Sequence, residues 1–357
     1  MDRVLNIAFI GLHHQHPRWY WPLWNYLPMY RPVAVCERDE AFLHSENELY
    51  QLDTYDEVDA VLERDDVDVV MIWEQHSLMP GMVEKAAKAG KHVIVEKPCA
   101  ADLEGIRVIE RVAKEYPDVK ISSPYCWRTH RGSELIKQVV DRGDIGDVVA
   151  VEARLNAGGA MRYVRDHAMW MLSAEEGGGP MWNLGVHWID YFQWLLGERV
   201  KEVCGQIGGP IGEPFRDIED QAQSLLRFEN GCVGVLDISY GLTESHPGKR
   251  DIYVSIRGTR GAVQWSPAWQ SLDDNILIVR DGASDEVKQV EKAVVTSEAV
   301  EGYCGEMAKS WLEGFALSVI HDENPMVTVS DMVAAIEVVD AFKRSVTSKQ
   351  FERVVAG

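Results

Sequence analysis

The residues best suited to chemistry in this sequence lie in Gly177-Gly178-Gly179-Pro180-Met181-Trp182-Asn183-Leu184-Gly185-Val186-His187-Trp188-Ile189-Asp190. At ~100° per residue on a helix, Asn183, His187 and Asp190 share a sector of about 60°. Trp182, Leu184, Val186, Trp188 and Ile189 cover most of the rest. A solvated face would carry Lys and Glu, whereas this one carries an amide, an imidazole and a carboxylate, which need partners once buried. The imidazole of His187 is the natural proton acceptor of the set. A core histidine flanked by two hydrogen-bonding neighbours is the structural alternative. The glycines form a turn, Pro180 suits a first helical position and Gly197 reads as a C-terminal cap, so a helix is predicted from Pro180 to about Gly197.

A second polar concentration follows the first apolar run, where Gly11-Leu12-His13-His14-Gln15-His16 stands in the place of a dinucleotide turn. The fingerprint G-x-G-x-x-G uses glycines for a tight turn, for close approach of backbone to pyrophosphate and for helix packing. Here its positions are Gly11, His13 and His16, so only the first glycine is kept. His13 can donate to a phosphate, but its side chain makes the loop or the ligand shift. Pro22 removes a backbone bond from the helix that follows and predicts a kink. Glu37, after the second strand, is placed to accept from a ribose 2′-hydroxyl and to repel a 2′-phosphate, favouring NAD. Arg38 beside it leaves NADP open. The histidines do not bring the carboxylates or thiolates that would complete a metal shell, so no metal is expected.

The elements that must position these groups are legible from periodicity. Val4–Ile10, Val33–Cys36, Val67–Ile72 and His92–Val95 are short apolar runs separated by helical patterns such as Pro80–Ala89. That alternation predicts an α/β fold with a doubly wound, Rossmann-type parallel sheet over residues 1–123, with ligands beyond the carboxyl ends of its strands. From residue 124 to 357 the pattern becomes α+β. Strand candidates Val148–Leu155, Val200–Ile207, Gln221–Tyr240, Asp251–Gly258 and Ile276–Arg280 are joined by turns at Glu229-Asn230-Gly231 and Gly258-Thr259-Arg260-Gly261, which predicts a large, mostly antiparallel sheet. Helical periodicity returns from Met307 to Ser348.

The 357 residues suffice for two cores, and a net charge of −21 disfavours nucleic acid and anionic membranes as partners. Neither an apolar leader nor a membrane-length apolar run is evident, and six scattered cysteines without a CxxC pair suit a reducing compartment. A cytoplasmic location is the expectation.

The segment Gly90-Lys91-His92-Val93-Ile94-Val95-Glu96-Lys97-Pro98 completes a set of motifs in order: EKP, the GGGPMWNLGVHWID helix, Ile218-Glu219-Asp220, Arg257-Gly258-Thr259-Arg260-Gly261 and Pro325-Met326-Val327-Thr328. With them the chain resembles, nearly end to end, the Gfo/Idh/MocA oxidoreductases. The resemblance implies a Rossmann domain, an open-sheet domain that supports homodimers or homotetramers, and NAD(P)-dependent oxidation or reduction at a carbinol carbon of a sugar, cyclitol or related polyol. It makes Lys97 and His187 the catalytic pair, with a cis peptide before Pro98. Glu74, His76, Glu96 and Lys97 fall beside the cofactor, and Lys97, Arg128, His167, Asn183 and His187 on segments that line the substrate cleft, together with Arg162, Asp166 and Trp170. Asn183 departs from the family's usual aspartate. It can orient the imidazole or bind substrate, but it carries no charge; Asp190, one turn on, is a candidate replacement. A redox-neutral enzyme that uses tightly held NAD for transient oxidation is one alternative; a ligand sensor without catalysis, motivated by His13, His16 and Asn183 together, is another.

Overall fold

The computed structural model describes residues 3–209, 217–243, 245–246, 248–269, 271–282 and 288–355. The chain forms two compact units, one of residues 1–126, 163–177 and 300–333, the other of residues 127–162, 178–299 and 334–357.

The first unit is built on strands β1 (Leu5–Ile10), β2 (Tyr30–Cys36), β3 (Asp53–Tyr55), β4 (Val69–Ile72), β5 (His92–Val95) and β6 (Ile121–Ser122). They lie in the order β3-β2-β1-β4-β5-β6, every pair parallel. Their connections carry helices α1 (His16–Tyr20), α2 (Glu40–Tyr50), α3 (Val58–Leu62), α4 (Met79–Lys88) and α5 (Leu103–Glu115). β4 is buried at all four positions and β1 at five of six, as expected of a parallel sheet covered on both faces. The strand order reverses at β1, which makes the carboxyl ends of β1 and β4 the ligand-binding side. Gly11 leaves β1 with φ +85°, and a Cβ there would stand 2.9 Å from the Trp73 carbonyl oxygen, so this position requires glycine. α1 stops at Tyr20 and the chain continues as a 3₁₀ turn over Trp21–Tyr26, in keeping with the break predicted from Pro22.

Further along the chain come α6 (Arg131–Asp141), β7 (Val148–Gly158), α7 (Met161–Arg165), α8 (Val186–Leu196), β8 (Val200–Gly208), β9 (Gln221–Phe228), β10 (Val233–Leu242), β11 (Arg250–Gly258), β12 (Gly261–Trp265), β13 (Asp273–Asp281), β14 (Lys288–Thr296), α9 (Gly305–Ile320), α10 (Val329–Ser348) and β15 (Glu352–Arg353). The second unit holds one sheet in the order β14-β13-β12-β11-β7-β10-β9-β8-β15, antiparallel except for the central β10–β7 pair. Inward positions alternate with outward ones along β9, so one face of the sheet packs and the other is free to meet water. Both predicted turns are hairpins, Gly231 taking φ +88° and Gly258 pairing with Gly261. Among the described residues no helix is long and apolar enough to cross a membrane.

Candidate active site

In the first unit the loops beyond β1, β2, β4 and β5 converge in a buried polar cluster. Glu37, at the end of β2, accepts from the Leu12 N–H through Oε2 at 2.7 Å and from the Asp39 N–H through Oε1 at 3.1 Å. It therefore braces the first loop, and the second lone pair of each oxygen stays available to a ribose hydroxyl. His13 stacks on Phe42, ring centroids 4.1 Å apart, and lies 3.7 Å from Asp39. His14 Nδ1 accepts from the His16 N–H at 3.0 Å, giving that backbone donor a side-chain partner. His16 Nδ1 meets Glu96 Oε2 at 3.0 Å with both side chains buried, tying the first loop to the strand that ends in Lys97. Lys97 is buried and precedes a cis peptide to Pro98.

Residues 163–177 lie against these loops. Trp170 Nε1 donates to the His13 carbonyl at 2.9 Å, and Arg18 Nη2 donates to the Asp166 carbonyl at 3.3 Å. His76, after β4, bonds the Glu176 carbonyl through Nδ1 at 2.6 Å, while the Ser77 N–H and hydroxyl donate to the Glu176 carboxylate. His167 sits with φ +59° and its ring 5.4 Å from Phe42. Burial, reinforced by His16, Lys97 and His76, holds the His14 imidazole well below its usual range. Burial also pushes the carboxyls of Glu96 and Glu74 up. Lys97, His14 and His76 oppose the shift at Glu96, whereas Glu37 adds to it at Glu74.

In the second unit the predicted helix starts as a π-helical turn over Met181–Gly185 and becomes α8 at Val186, capped by Gly197 at φ +65°. The polar stripe resolves into different environments. Asn183 Nδ2 donates to the Tyr240 hydroxyl at 3.1 Å, which itself donates to the Gly179 carbonyl at 3.2 Å. Asp190 receives a bidentate contact from Arg128, Nε at 2.9 Å and Nη2 at 2.5 Å, with both side chains buried. His187, between them, is half-buried. Arg162 lies over the Tyr240 ring at 5.1 Å. Arg128 thus neutralises the carboxylate that the sequence offered as a substitute partner for His187. Tyr240 carried no sequence signal, being a strand residue in an apolar alternation; His14 was visible only as one of three neighbouring histidines.

Two family models match this chain. Residues 5–122 match the NAD-binding Rossmann fold of an oxidoreductase family, and residues 134–264 match the GFO/IDH/MocA C-terminal domain. The chain belongs to the Gfo/Idh/MocA family. Among its Gfo/Idh/MocA relatives, D-xylose 1-dehydrogenase [NADP(+)] of Haloarcula marismortui is 27% identical over 66% of this chain and 63% of its own length. A 2,7-anhydro-N-acetylneuraminate hydratase of Escherichia coli is 27% identical over 58% of this chain and 54% of its own length. Myo-inositol 2-dehydrogenase of Thermotoga maritima is 26% identical over 78% and 85%. The chain therefore spans less than two thirds of the first two relatives. The crystal structure of a putative NADPH-dependent oxidoreductase from Desulfitobacterium hafniense shares the fold, with a TM-score of 0.83 at 22% identity over 99% of each chain.

The dinucleotide implied by such a Rossmann domain fits the residues present. Gly11 allows close backbone approach, and Glu37 stands at the end of β2. Among the described residues, His14 Nε2 and Glu96 Oε1 are buried polar atoms without a hydrogen-bond partner at the strand ends where a ligand belongs.

Proposed function

We propose that this protein is an NAD-dependent oxidoreductase acting at a carbinol carbon of a sugar, cyclitol or related polyol, with NADP as a possible second cofactor. The observation that carries the reading is the buried cluster of His14, His16, His76, Glu96 and Lys97 at the carboxyl ends of a Rossmann sheet. Bound NAD supplies the hydride acceptor. Lys97 donates to the substrate oxygen and stabilises alkoxide charge as it develops, an effect strengthened by burial. His187 takes the hydroxyl proton. Asn183, fixed by Tyr240, orients substrate or imidazole without adding charge. Gly11, His13, His16, Glu37, Glu74, His76 and Glu96 are assigned to the cofactor, and Arg128 and His167 to the substrate side.

Calorimetric titration with NAD and NADP tests the cofactor, and a panel of aldoses and inositols followed by NADH absorbance tests the reaction. Lys97→Ala and His187→Ala are each expected to lower turnover by ~10²–10⁴ while leaving NAD binding measurable. Full activity in His187→Ala removes it as the base. The hydratase among the relatives supports a second reading, transient oxidation with no net redox change; substrate consumption without NADH accumulation distinguishes it.

The outward face of the second sheet suits a homo-oligomer. On the adjacent strands β9 and β10, Leu225 stands opposite Val235, and with Val233 they form an exposed apolar patch. Sedimentation of Leu225→Glu, expected as a smaller species than the wild type, tests that surface.

A further inference from the structure

The first loop holds a donor whose direction is fixed by its own hydrogen bonding. His14 Nδ1 accepts the His16 N–H at 3.0 Å, so this nitrogen carries no proton. The neutral ring must then keep its proton on Nε2. The side chain is fully buried, and among the described residues Nε2 meets no hydrogen-bond partner. An orphaned buried N–H of this kind costs roughly what a lost hydrogen bond costs, and native proteins keep such groups chiefly where a ligand or ordered water completes them.

The surroundings favour a ligand with acceptor oxygens. His14 lies on the β1–α1 turn, the turn that faces the pyrophosphate in this architecture. Its ring is edge-on to His16 at 4.3 Å and 5.9 Å from Trp170, whose Nε1 is committed to the His13 carbonyl. Burial above all disfavours a second proton and keeps the ring a neutral donor, with His16, Lys97 and His76 adding to the effect and Glu96 opposing it. The loop's backbone donors at Leu12 and His16 are already engaged by Glu37 and by His14 itself. A side-chain donor is therefore on offer at a turn where the two missing glycines would have exposed backbone.

We propose that His14 contacts the cofactor, Nε2–H donating to an acceptor oxygen of the bound dinucleotide, while Nδ1 holds the loop through the His16 N–H. The assignment rests on the NAD-binding reading above. It gives His14 two separable jobs, and two amide substitutions divide them. In His14→Asn, Oδ1 replaces Nδ1 and the distal donor disappears. In His14→Gln, Nε2 of the amide replaces the distal donor and the acceptor for the His16 N–H disappears.

Calorimetry with NAD is expected to show about tenfold weaker binding for His14→Asn, the loss of one buried hydrogen bond, and near wild-type affinity for His14→Gln. The reverse order, Asn binding normally and Gln weakly, would show that His14 only braces the loop. A second readout needs no variant: in ¹⁵N-histidine-labelled wild-type protein the His14 resonances should report the Nε2–H tautomer, and NAD should shift Nε2. A shift produced by polyol alone, or none when calorimetry shows NAD bound, overturns the assignment. Absence of NAD binding to the wild type overturns the functional reading itself, and the calorimetric titration of wild type reports that separately.

Discussion

The first loop and the helix begun at Met181 both concentrate compact polar residues in apolar surroundings, and the structure pairs them differently. Along the helix, Asn183 is taken up by Tyr240, Tyr240 by Gly179, and Asp190 by Arg128. In the loop, His14 Nε2 and Glu96 Oε1 remain without partners among the described residues. Spacing on a helix or turn shows that polar groups will be buried together, but only tertiary contacts decide whether they complete one another or await a ligand. Of the helical stripe, His187 alone is half-buried and flanked by residues whose polar groups are engaged elsewhere.

The strongest way to break this contrast is to unpair the helix. Arg128→Ala leaves the Asp190 carboxylate buried without its guanidinium, and such a loss costs about 3–5 kcal/mol. Urea unfolding should register it, and a cost below about 1 kcal/mol would mean that the pair is not the structural contact described. Tyr240→Phe is expected to cost about 1–3 kcal/mol, because the Asn183 amide and the Gly179 carbonyl both lose the same hydroxyl. Retention of wild-type stability would release Asn183 from its structural role.

Much of the frame behind these contacts was legible. Alternation in β9 and β10 and the glycine turn between them identified the hairpin, and Pro22 announced the end of α1 at Tyr20. β14 escaped because Lys288-Gln289-Val290-Glu291-Lys292 is an edge strand with little apolar character, its Val290 62% exposed. The π turn over Met181–Gly185 escaped for another reason: a 3.6-residue period runs through the segment on paper, and a π turn, one residue wider, leaves no mark in that periodicity. The candidate site was legible as residue types and not as pairings. Nothing local in the sequence says that Arg128 will reach Asp190, or that Tyr240 will reach Asn183, since each pair is separated by more than fifty residues.

The loop offers the smaller and sharper test. His14→Asn loses ring packing at a buried site but also removes an unpartnered N–H, so at pH 7.5 it should cost about 1 kcal/mol, less than Arg128→Ala. The balance should then move in favour of His14→Asn as the solution is acidified. Burial holds the folded imidazole well below the ordinary histidine value of about 6.5, so below that pH the unfolded chain takes up a proton that the native state refuses. Stability from this group is complete above the unfolded pKa and falls with pH at up to about 1.4 kcal/mol per unit. Between pH 7.5 and 5.5 the wild type should therefore lose about 1.4 kcal/mol more than His14→Asn, which has nothing to titrate at that position. Glu96 and Glu74, raised by burial, act in the opposite sense; because His14 itself bears on Glu96, the two unfolding series are compared in a Glu96→Gln background, where Glu74 is common to both proteins and its share is removed. Parallel pH dependences would mean that the ring accepts its proton in the folded state, and with it that the Nδ1 contact to His16 is not maintained.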